Sequence, residues 1–158
     1  MSINDSKLGE VGTFYTMIAS GPVIVEDREG VLKTLLVKHG DKSLEELKWK
    51  FCGGKVLKGE TLETTAVRES KEEIGVDVTL LYPLKPMVLW NEHPEGGGEK
   101  PQAIMLVHYC ATINDEPIKG KEVLAMEWFP LDKLPHDSAP NVALVIKDYL
   151  ARGVQRGN

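Results

Sequence analysis

The sequence predicts an α/β fold, an α/β/α sandwich in which helices cover both faces of a mixed β-sheet. Strand-like apolar segments alternate along the chain with two long segments of helical periodicity, one central and one near the C-terminal end. The 158 residues, 42% hydrophobic and 27% charged, suffice for one soluble domain with a substantial core. Because no repeat or Pro/Ser-rich linker divides the chain, we treat residues 1–158 as one domain.

The N-terminal half is predicted to form a β-hairpin. Residues 14–26 mix aromatic, β-branched and small side chains, which favours one bent strand or two short ones. A turn is expected at residues 27–30, and residues 31–39 supply the partner strand. Two shorter elements should follow: a helical turn with Ser43 and Glu46 as a capping box, and an extended segment at residues 49–51.

The second half is predicted to add strands and a closing helix. Residues 76–90 should form one or two strands broken by prolines, and residues 121–129 a further short strand. Residues 102–113 are nearly all apolar, which is typical of a central strand covered on both faces. The last helix should begin near residues 137–138 as N-cap, with Pro140 in its first turn.

A second long helix lies in the middle of the chain. It is predicted to begin at Glu60 or Thr61 and to end before Gly75, which occupies the position of a C′ glycine. Placing successive residues 100° apart around the axis defines the side that should be buried. The residues of this arc are Leu62, Ala66, Val67, Ser70 and Ile74.

Three glutamates lie beside this arc. Glu69 and Glu73 fall at its border and Glu72 just beyond it, so the like charges repel one another. Arg68, four residues before Glu72, offsets only one of them. The spacing alone leaves two interpretations open, a solvated or salt-bridged acidic helix and a cluster that binds a divalent cation. Gly54, in the glycine pair before the helix, leaves its carbonyl exposed to act as a ligand.

Composition excludes several classes of partner. The net charge of −5 provides no basic excess for broad binding of nucleic acid or anionic membranes. No signal sequence or membrane-length apolar run is apparent, so a cytoplasmic protein is expected. Cys52 and Cys110 match neither a disulfide framework nor a zinc pattern, and we expect buried thiols. His39 and His108 are expected to be structural.

The central pattern resembles the Nudix box, and the chain is identified as a member of the Nudix hydrolase family. Ser70 departs from the box, which has an aliphatic residue there, and its hydroxyl is expected to bond to the Ala66 carbonyl. Cys52 stands where many members have proline. The residues that match are Gly54, Glu60, Arg68, Glu69, Glu72, Glu73, Gly75 and Val76.

The resemblance implies a Nudix-type α/β/α sandwich that hydrolyses a nucleoside diphosphate linked to another moiety. It also implies a divalent cation, Mg²⁺ with Mn²⁺ as a substitute. Arg68 would orient a carboxylate, and the base that activates water would be Glu69 or a carboxylate outside the helix, Glu122 rather than Glu127 or Glu99. The implied metal ligands are Gly54, through its carbonyl, and Glu69, Glu72 and Glu73.

Specificity is assigned to the loop at residues 91–101, either as a substrate-recognising lid or as a disordered hairpin tip. Trp90, His93 and Phe14 are candidates for stacking on a base, with core packing as the alternative. The small-molecule substrate is expected to be a nucleoside triphosphate or a nucleoside diphosphate sugar such as ADP-ribose. A catalytically silent nucleotide-binding Nudix module is the alternative function. We leave a homodimer open as an assembly.

Overall fold

The structure, a computed structural model, describes residues 15–91 and 101–156. These residues form seven strands and two helices, which occur in the alternating order that the sequence predicts. The elements are β1 (Thr16–Arg28), β2 (Val31–His39), β3 (Gly54–Lys55), α1 (Leu62–Ile74), β4 (Val78–Pro83), β5 (Met87–Trp90), β6 (Ala103–Ile113), β7 (Val123–Pro130) and α2 (Pro140–Arg156).

Strand β1 organises the sheet because it changes partner along its length. Its first part, Thr16–Ile24, pairs parallel with β6, and its last part, Val25–Arg28, pairs antiparallel with β2. The main strand order is β4-β6-β1-β2-β7, with β3 added to β1 and β5 added to β6. The predicted mixed sheet is confirmed, and the predicted bent strand is one continuous element.

The two faces of the sheet are covered by different helices. Side chains of a strand alternate between faces, and β2 follows this rule. Leu35 and Val37 pack into a cluster with Ile74 of α1, whereas Leu36 packs into a cluster with Ile146 of α2. The α/β/α sandwich is therefore confirmed. Within the described residues, no helix is long and apolar enough to cross a membrane.

Strand β6 occupies the central position that its apolar sequence predicts. It lies between β1 on one side and β4 and β5 on the other. Val107 and Tyr109 pack with Ala66 of α1, while the His108 ring lies on the other face with its centroid 5.1 Å from that of Phe51. The alternation places β6 directly beneath both helices.

The hairpin turn is shorter than predicted. Arg28, assigned to the turn, still pairs with Val31, and only Glu29 and Gly30 form the turn, with φ of 58° and 84°. The guanidinium of Arg28 lies 3.8 Å from the centroid of the Trp128 ring, a tertiary contact that the local sequence does not reveal.

Helix α2 begins later than predicted. Its first residue is Pro140, and the oxygens expected to cap it are used elsewhere. Asp137 Oδ2 accepts a hydrogen bond from Lys38 Nζ at 3.1 Å, and Ser138 Oγ donates to the Pro135 carbonyl at 2.8 Å. Backbone hydrogen bonds of Trp49 with Asp137 and Ala139 hold the segment before α2 against the extended segment at residues 49–51 that the sequence predicts.

Candidate active site

Helix α1 carries the acidic residues, and local contacts fix both of its ends. The Thr61 hydroxyl accepts the Thr64 N–H at 3.1 Å, and the Thr64 hydroxyl accepts the Thr61 N–H at 2.8 Å, so Thr61 is the N-cap. Gly75 adopts a left-handed conformation with φ of 67°, and its N–H donates to the Lys71 carbonyl. The predicted bounds of this helix are confirmed.

The buried face of α1 lies closer to the acidic side than the helical wheel predicts. Glu69 and Glu73 are only 9% and 8% exposed, whereas Val67, predicted to be buried, is 39% exposed. The reason is the segment that precedes the helix. Cys52 packs against this side, with Sγ 3.5 Å from the Glu69 carbonyl, and Gly54 follows directly behind it.

Arg68 connects the glutamates to the loop before the helix. Its Nε and Nη2 donate to the two oxygens of Glu60 at 2.6 and 3.0 Å. Its Nη1 donates to Glu69 at 2.9 Å and to Glu72 at 3.1 Å, and Nη2 also donates to the Lys55 carbonyl at 3.1 Å. Arg68 is the largest cause that lowers the pKa of Glu60 to about 2. One side chain thus fixes the orientation of three carboxylates.

Glu69 and Glu73 form a buried carboxyl pair. Burial, followed by the hydrogen bond and the charge of Glu69, raises the pKa of Glu73 well above the usual carboxyl range. The Gly53 N–H donates to Glu73 Oε1 at 3.3 Å and acts in the opposite direction. Two buried carboxylates are costly when both are charged unless a cation compensates them.

His39, at the end of β2, contacts this pair. Its Nε2 lies 3.5 Å from Glu73 Oε2. Burial, followed by the charge of Lys50, lowers the pKa of His39 to about 4, so the imidazole is neutral at pH 7. The contact is therefore a neutral ring beside a carboxyl group rather than an ion pair.

Gly54 approaches the Glu69 carboxylate more closely than any other residue type allows. A Cβ atom at position 54 would lie 2.6 Å from Glu69 Cδ, and real Cβ atoms do not come so near. The glycine therefore lets the backbone of β3 pass directly over the carboxylate.

Gly54→Ala is expected to reduce activity about tenfold, because the added methyl group displaces the Glu69 carboxylate from its bond to Arg68. The measurement is kcat/KM with a nucleotide that the wild type hydrolyses, compared between the wild type and the variant. Gly153→Ala is the matched control, since a Cβ there meets nothing within 4 Å. Equal activity of the two variants would contradict the close approach.

The acidic residues line a cleft of about 600 Å³. The connection between β6 and β7 forms its far wall, because the Ile118 N–H donates to the Ile74 carbonyl at 2.8 Å and the Gly120 N–H donates to the Glu73 carbonyl at 2.9 Å. These bonds hold Glu122 in the cleft. The lining residues that matter here are Gly54, Glu69, Glu72, Glu73, Glu122 and His39.

The donors in this cleft fit a hard divalent cation. As placed in the described part of the chain, no three His, Cys, Asp or Glu side chains enclose an ion. The carboxylate oxygens that line it belong to Glu69, Glu72, Glu73 and Glu122, and carboxylates are the ligands that Mg²⁺ prefers when it retains several waters. The buried Glu69–Glu73 pair would be stabilised by such a charge.

A second, apolar cavity of about 330 Å³ adjoins the acidic cleft. The two share His39, Gly53 and Gly54 as a common wall. Cavities of this size and character suit one ring-sized group of a small molecule. The main apolar lining residues are Met17, Phe51, Leu89, Ile104, Leu106 and Ala139.

Three buried polar residues, Ser20, His108 and Asn141, also line this cavity. Asn141 Nδ2 donates to His108 Nε2 at 3.2 Å, and within the described residues His108 Nδ1 has no hydrogen-bond partner of good geometry. Burial lowers the pKa of His108 to about 4, and the Gly21 backbone offsets only part of that shift. His108 is therefore a neutral ring in the native protein.

The free energy of unfolding is expected to decrease as the pH is lowered, because of His108. Its pKa is about 4 when folded and about 6.5 when unfolded, so the unfolded chain binds more protons between these values and stability decreases as pH drops. Between pH 7.5 and 5.0 the loss is about 2 kcal/mol. Urea unfolding at both pH values should show this extra loss in the wild type and in exposed His136→Gln, but not in His108→Gln. Equal losses in all three would contradict it.

The sequence model of the NUDIX domain matches residues 17–149. The chain belongs to the Nudix hydrolase family. The match spans both core clusters, the acidic cleft and most of helix α2, so the Nudix domain accounts for nearly all of the described structure.

Named Nudix relatives support this membership. The oxidized purine nucleoside triphosphate hydrolase of Danio rerio is 38% identical over 90 residues, 56% of this chain and 53% of that protein. The nucleoside diphosphate-linked moiety X motif 6 protein of Xenopus laevis is 33% identical over 135 residues, 84% of this chain and 58% of that protein. The chain spans little more than half the length of these two relatives. A C. elegans Ap4A hydrolase in a binary complex shares the fold, with a TM-score of 0.71 and 19% identity over 88% of this chain and 98% of that one.

Four Nudix box residues line the cleft, and Glu122 joins them from the opposite wall; the four are Gly54, Glu69, Glu72 and Glu73. The Ser70 hydroxyl donates to the Ala66 carbonyl at 2.7 Å, as predicted, so this departure from the box leaves no unpaired hydroxyl. Trp90 is 71% exposed and lines a separate depression rather than the apolar cavity. Phe14 and His93 lie outside the described residues, as does Glu99.

Several polar residues that line the apolar cavity were not singled out as candidate site residues from the sequence. His39 and His108 were predicted to be structural, and both line the apolar cavity. Lys50 was not singled out, although it stands three residues before the Nudix Gly53-Gly54 pair. No local signal marked Lys50, because a polar residue between two apolar ones is the ordinary alternation of an extended segment.

Proposed function

We propose that this chain is a Nudix pyrophosphohydrolase that uses water and Mg²⁺, with Mn²⁺ as a substitute, to cleave a nucleoside diphosphate linked to another moiety. The observation that carries the proposal is the shared wall between the acidic cleft and the apolar cavity. A diphosphate in the cleft would place its attached nucleoside at the mouth of the cavity. The box carboxylates needed for the chemistry are all present.

The proposed role of each residue follows from its position in the cleft. Glu69, Glu72, Glu73 and the Gly54 carbonyl would hold the cation, which when bound neutralises the diphosphate and polarises its phosphorus–oxygen bonds. Arg68 orients Glu69 and Glu72. Glu69 or Glu122 accepts the proton of the attacking water, since both line the cleft.

Two substrate classes are proposed for this site, nucleoside triphosphates and nucleoside diphosphate sugars such as ADP-ribose. The name of the Danio rerio relative supports the first class, since that protein is described as a hydrolase of oxidized purine nucleoside triphosphates. The apolar cavity of about 330 Å³ supports both classes, because it holds one ring-sized group rather than a dinucleotide.

The test is a panel of nucleotides incubated with the full chain and Mg²⁺, with and without chelator. Released phosphate is assayed directly and after coupling enzymes that act on pyrophosphate and nucleoside monophosphate. Metal-dependent turnover of at least one nucleoside triphosphate or nucleoside diphosphate sugar is expected. Absence of chelator-sensitive turnover across the panel would overturn the proposal and favour a silent nucleotide-binding module.

A further inference from the structure

Lys50 introduces a basic side chain into the apolar cavity. It lies in the extended segment at residues 49–51, where its backbone N–H and carbonyl both bond to Val37, at 2.9 and 2.8 Å. Lys50 lines the apolar cavity but is not among the residues that line the acidic cleft. Lys50 therefore lies on the side of the shared wall that faces the apolar cavity, where the nucleoside is proposed to bind.

The Lys50 amino group has no acceptor among the described residues of the protein. Within the described residues its side chain makes no hydrogen bond or ion pair, and burial lowers its pKa, an effect that the Glu73 charge partly offsets. Lys38 offers the comparison: its buried Nζ binds the Leu44 carbonyl at 3.2 Å and Asp137 at 3.1 Å. A cationic donor on the wall of an apolar cavity, with no acceptor among the described residues, is available to a ligand that supplies an acceptor.

We infer that Lys50 determines base specificity: its amino group donates a hydrogen bond to a carbonyl oxygen of the ring held in the apolar cavity. This inference rests on the proposed function, because it assumes that a nucleoside enters the cavity. The cavity then favours oxo-substituted bases over amino-substituted ones. An exocyclic amino group would place a donor against a donor and leave both unsatisfied.

A contact with the diphosphate is the competing role for the same amino group. The acidic cleft, which would hold the diphosphate, does not include Lys50 in its lining, which consists mainly of His39, Gly54, Glu69, Glu72, Glu73 and Glu122. The two roles predict different results. Loss of a phosphate contact weakens the binding of every nucleotide equally. Loss of a base contact changes the ratio of the dissociation constants of two nucleotides that differ only in the base.

The experiment measures dissociation constants of nucleoside monophosphates by calorimetry on the full chain. Inosine monophosphate and adenosine monophosphate differ at one oxo or amino substituent, and so do uridine and cytidine monophosphate. The wild type is expected to prefer the oxo member of at least one pair by about tenfold or more. Lys50→Met should remove this preference, and Lys50→Arg should retain part of it. Exposed Lys48→Met is the matched control and should keep it in full.

Each outcome decides the inference. A preference that survives in Lys50→Met, or equal weakening of both members of each pair, would overturn it. So would a wild type without preference in either pair. Because binding of monophosphates needs no turnover, these results stand apart from the nucleotide panel. If Lys50→Met loses the preference and the wild type hydrolyses no nucleotide of the panel, the role of Lys50 in base specificity would be supported. Only the proposed activity would be overturned.

Discussion

Glu73→Gln is expected to lower kcat with Mg²⁺ on the order of 100- to 1,000-fold. The glutamine has the same shape, and it can still accept the Gly53 N–H that reaches Oε1 at 3.3 Å. It cannot supply negative charge to a cation. Turnover at saturating nucleotide, measured over a range of Mg²⁺ concentrations, should show a lower kcat and weaker dependence on the metal.

The same variant is expected to fold normally. The pKa of Glu73 is raised by burial and by Glu69, so the native state favours a neutral side chain at position 73. A carboxyl with a raised pKa loses native stability as pH rises above its unfolded value, and glutamine avoids this loss. Metal-free Glu73→Gln should therefore melt at or above the wild-type temperature at pH 8.

Glu63→Gln is the matched control for both measurements. Glu63 lies on the same helix, is exposed, and accepts a hydrogen bond from the Tyr109 hydroxyl at 2.9 Å, away from the cleft. Its activity should equal that of the wild type. Wild-type rates in Glu73→Gln would overturn the assignment of Glu73 as a ligand, whereas loss of activity in both variants would point to a general effect on helix α1.

The helix and its caps could be predicted because their signals are local. Thr61 and Gly75 act within one turn of the chain, and the spacing of Glu69 and Glu73 places both on one face. The wheel failed at Val67 because hydrophobicity along one helix does not reveal which side its neighbours cover. Here the segment that contains Gly53 and Gly54 covers the acidic side of α1, and only the tertiary structure brings this segment against the carboxylates.

The apolar cavity could not be predicted for the same reason. Its walls come from β1, β5, β6 and the start of α2, which are far apart in sequence and meet only when the sheet is assembled. Lys50 and Asn141 have no local pattern that relates them. Glu122 was predicted from the family resemblance alone, and the bonds of Gly120 to helix α1 explain why it reaches the cleft.

Arg68→Lys is expected to reduce kcat/KM about 100-fold, although it preserves the charge. The guanidinium donates to five acceptor atoms at once, in Glu60, Glu69, Glu72 and the Lys55 carbonyl. A lysine ammonium has three donors on one atom and cannot reach both Glu60 and the cleft glutamates in this planar arrangement. The released carboxylates would then turn away from the positions that are proposed for binding a cation.

The measurement that separates this effect from simple unfolding is the Mg²⁺ dependence of activity, together with thermal melting. A positioning role predicts that half-maximal activity of Arg68→Lys requires at least tenfold more Mg²⁺, while the melting temperature falls by only a few degrees. Arg152→Lys is the control, because Arg152 makes a single surface pair with Asp148 at 2.9 Å. An unchanged Mg²⁺ requirement in Arg68→Lys would show that the guanidinium contributes charge alone and that the carboxylates hold their orientation without it.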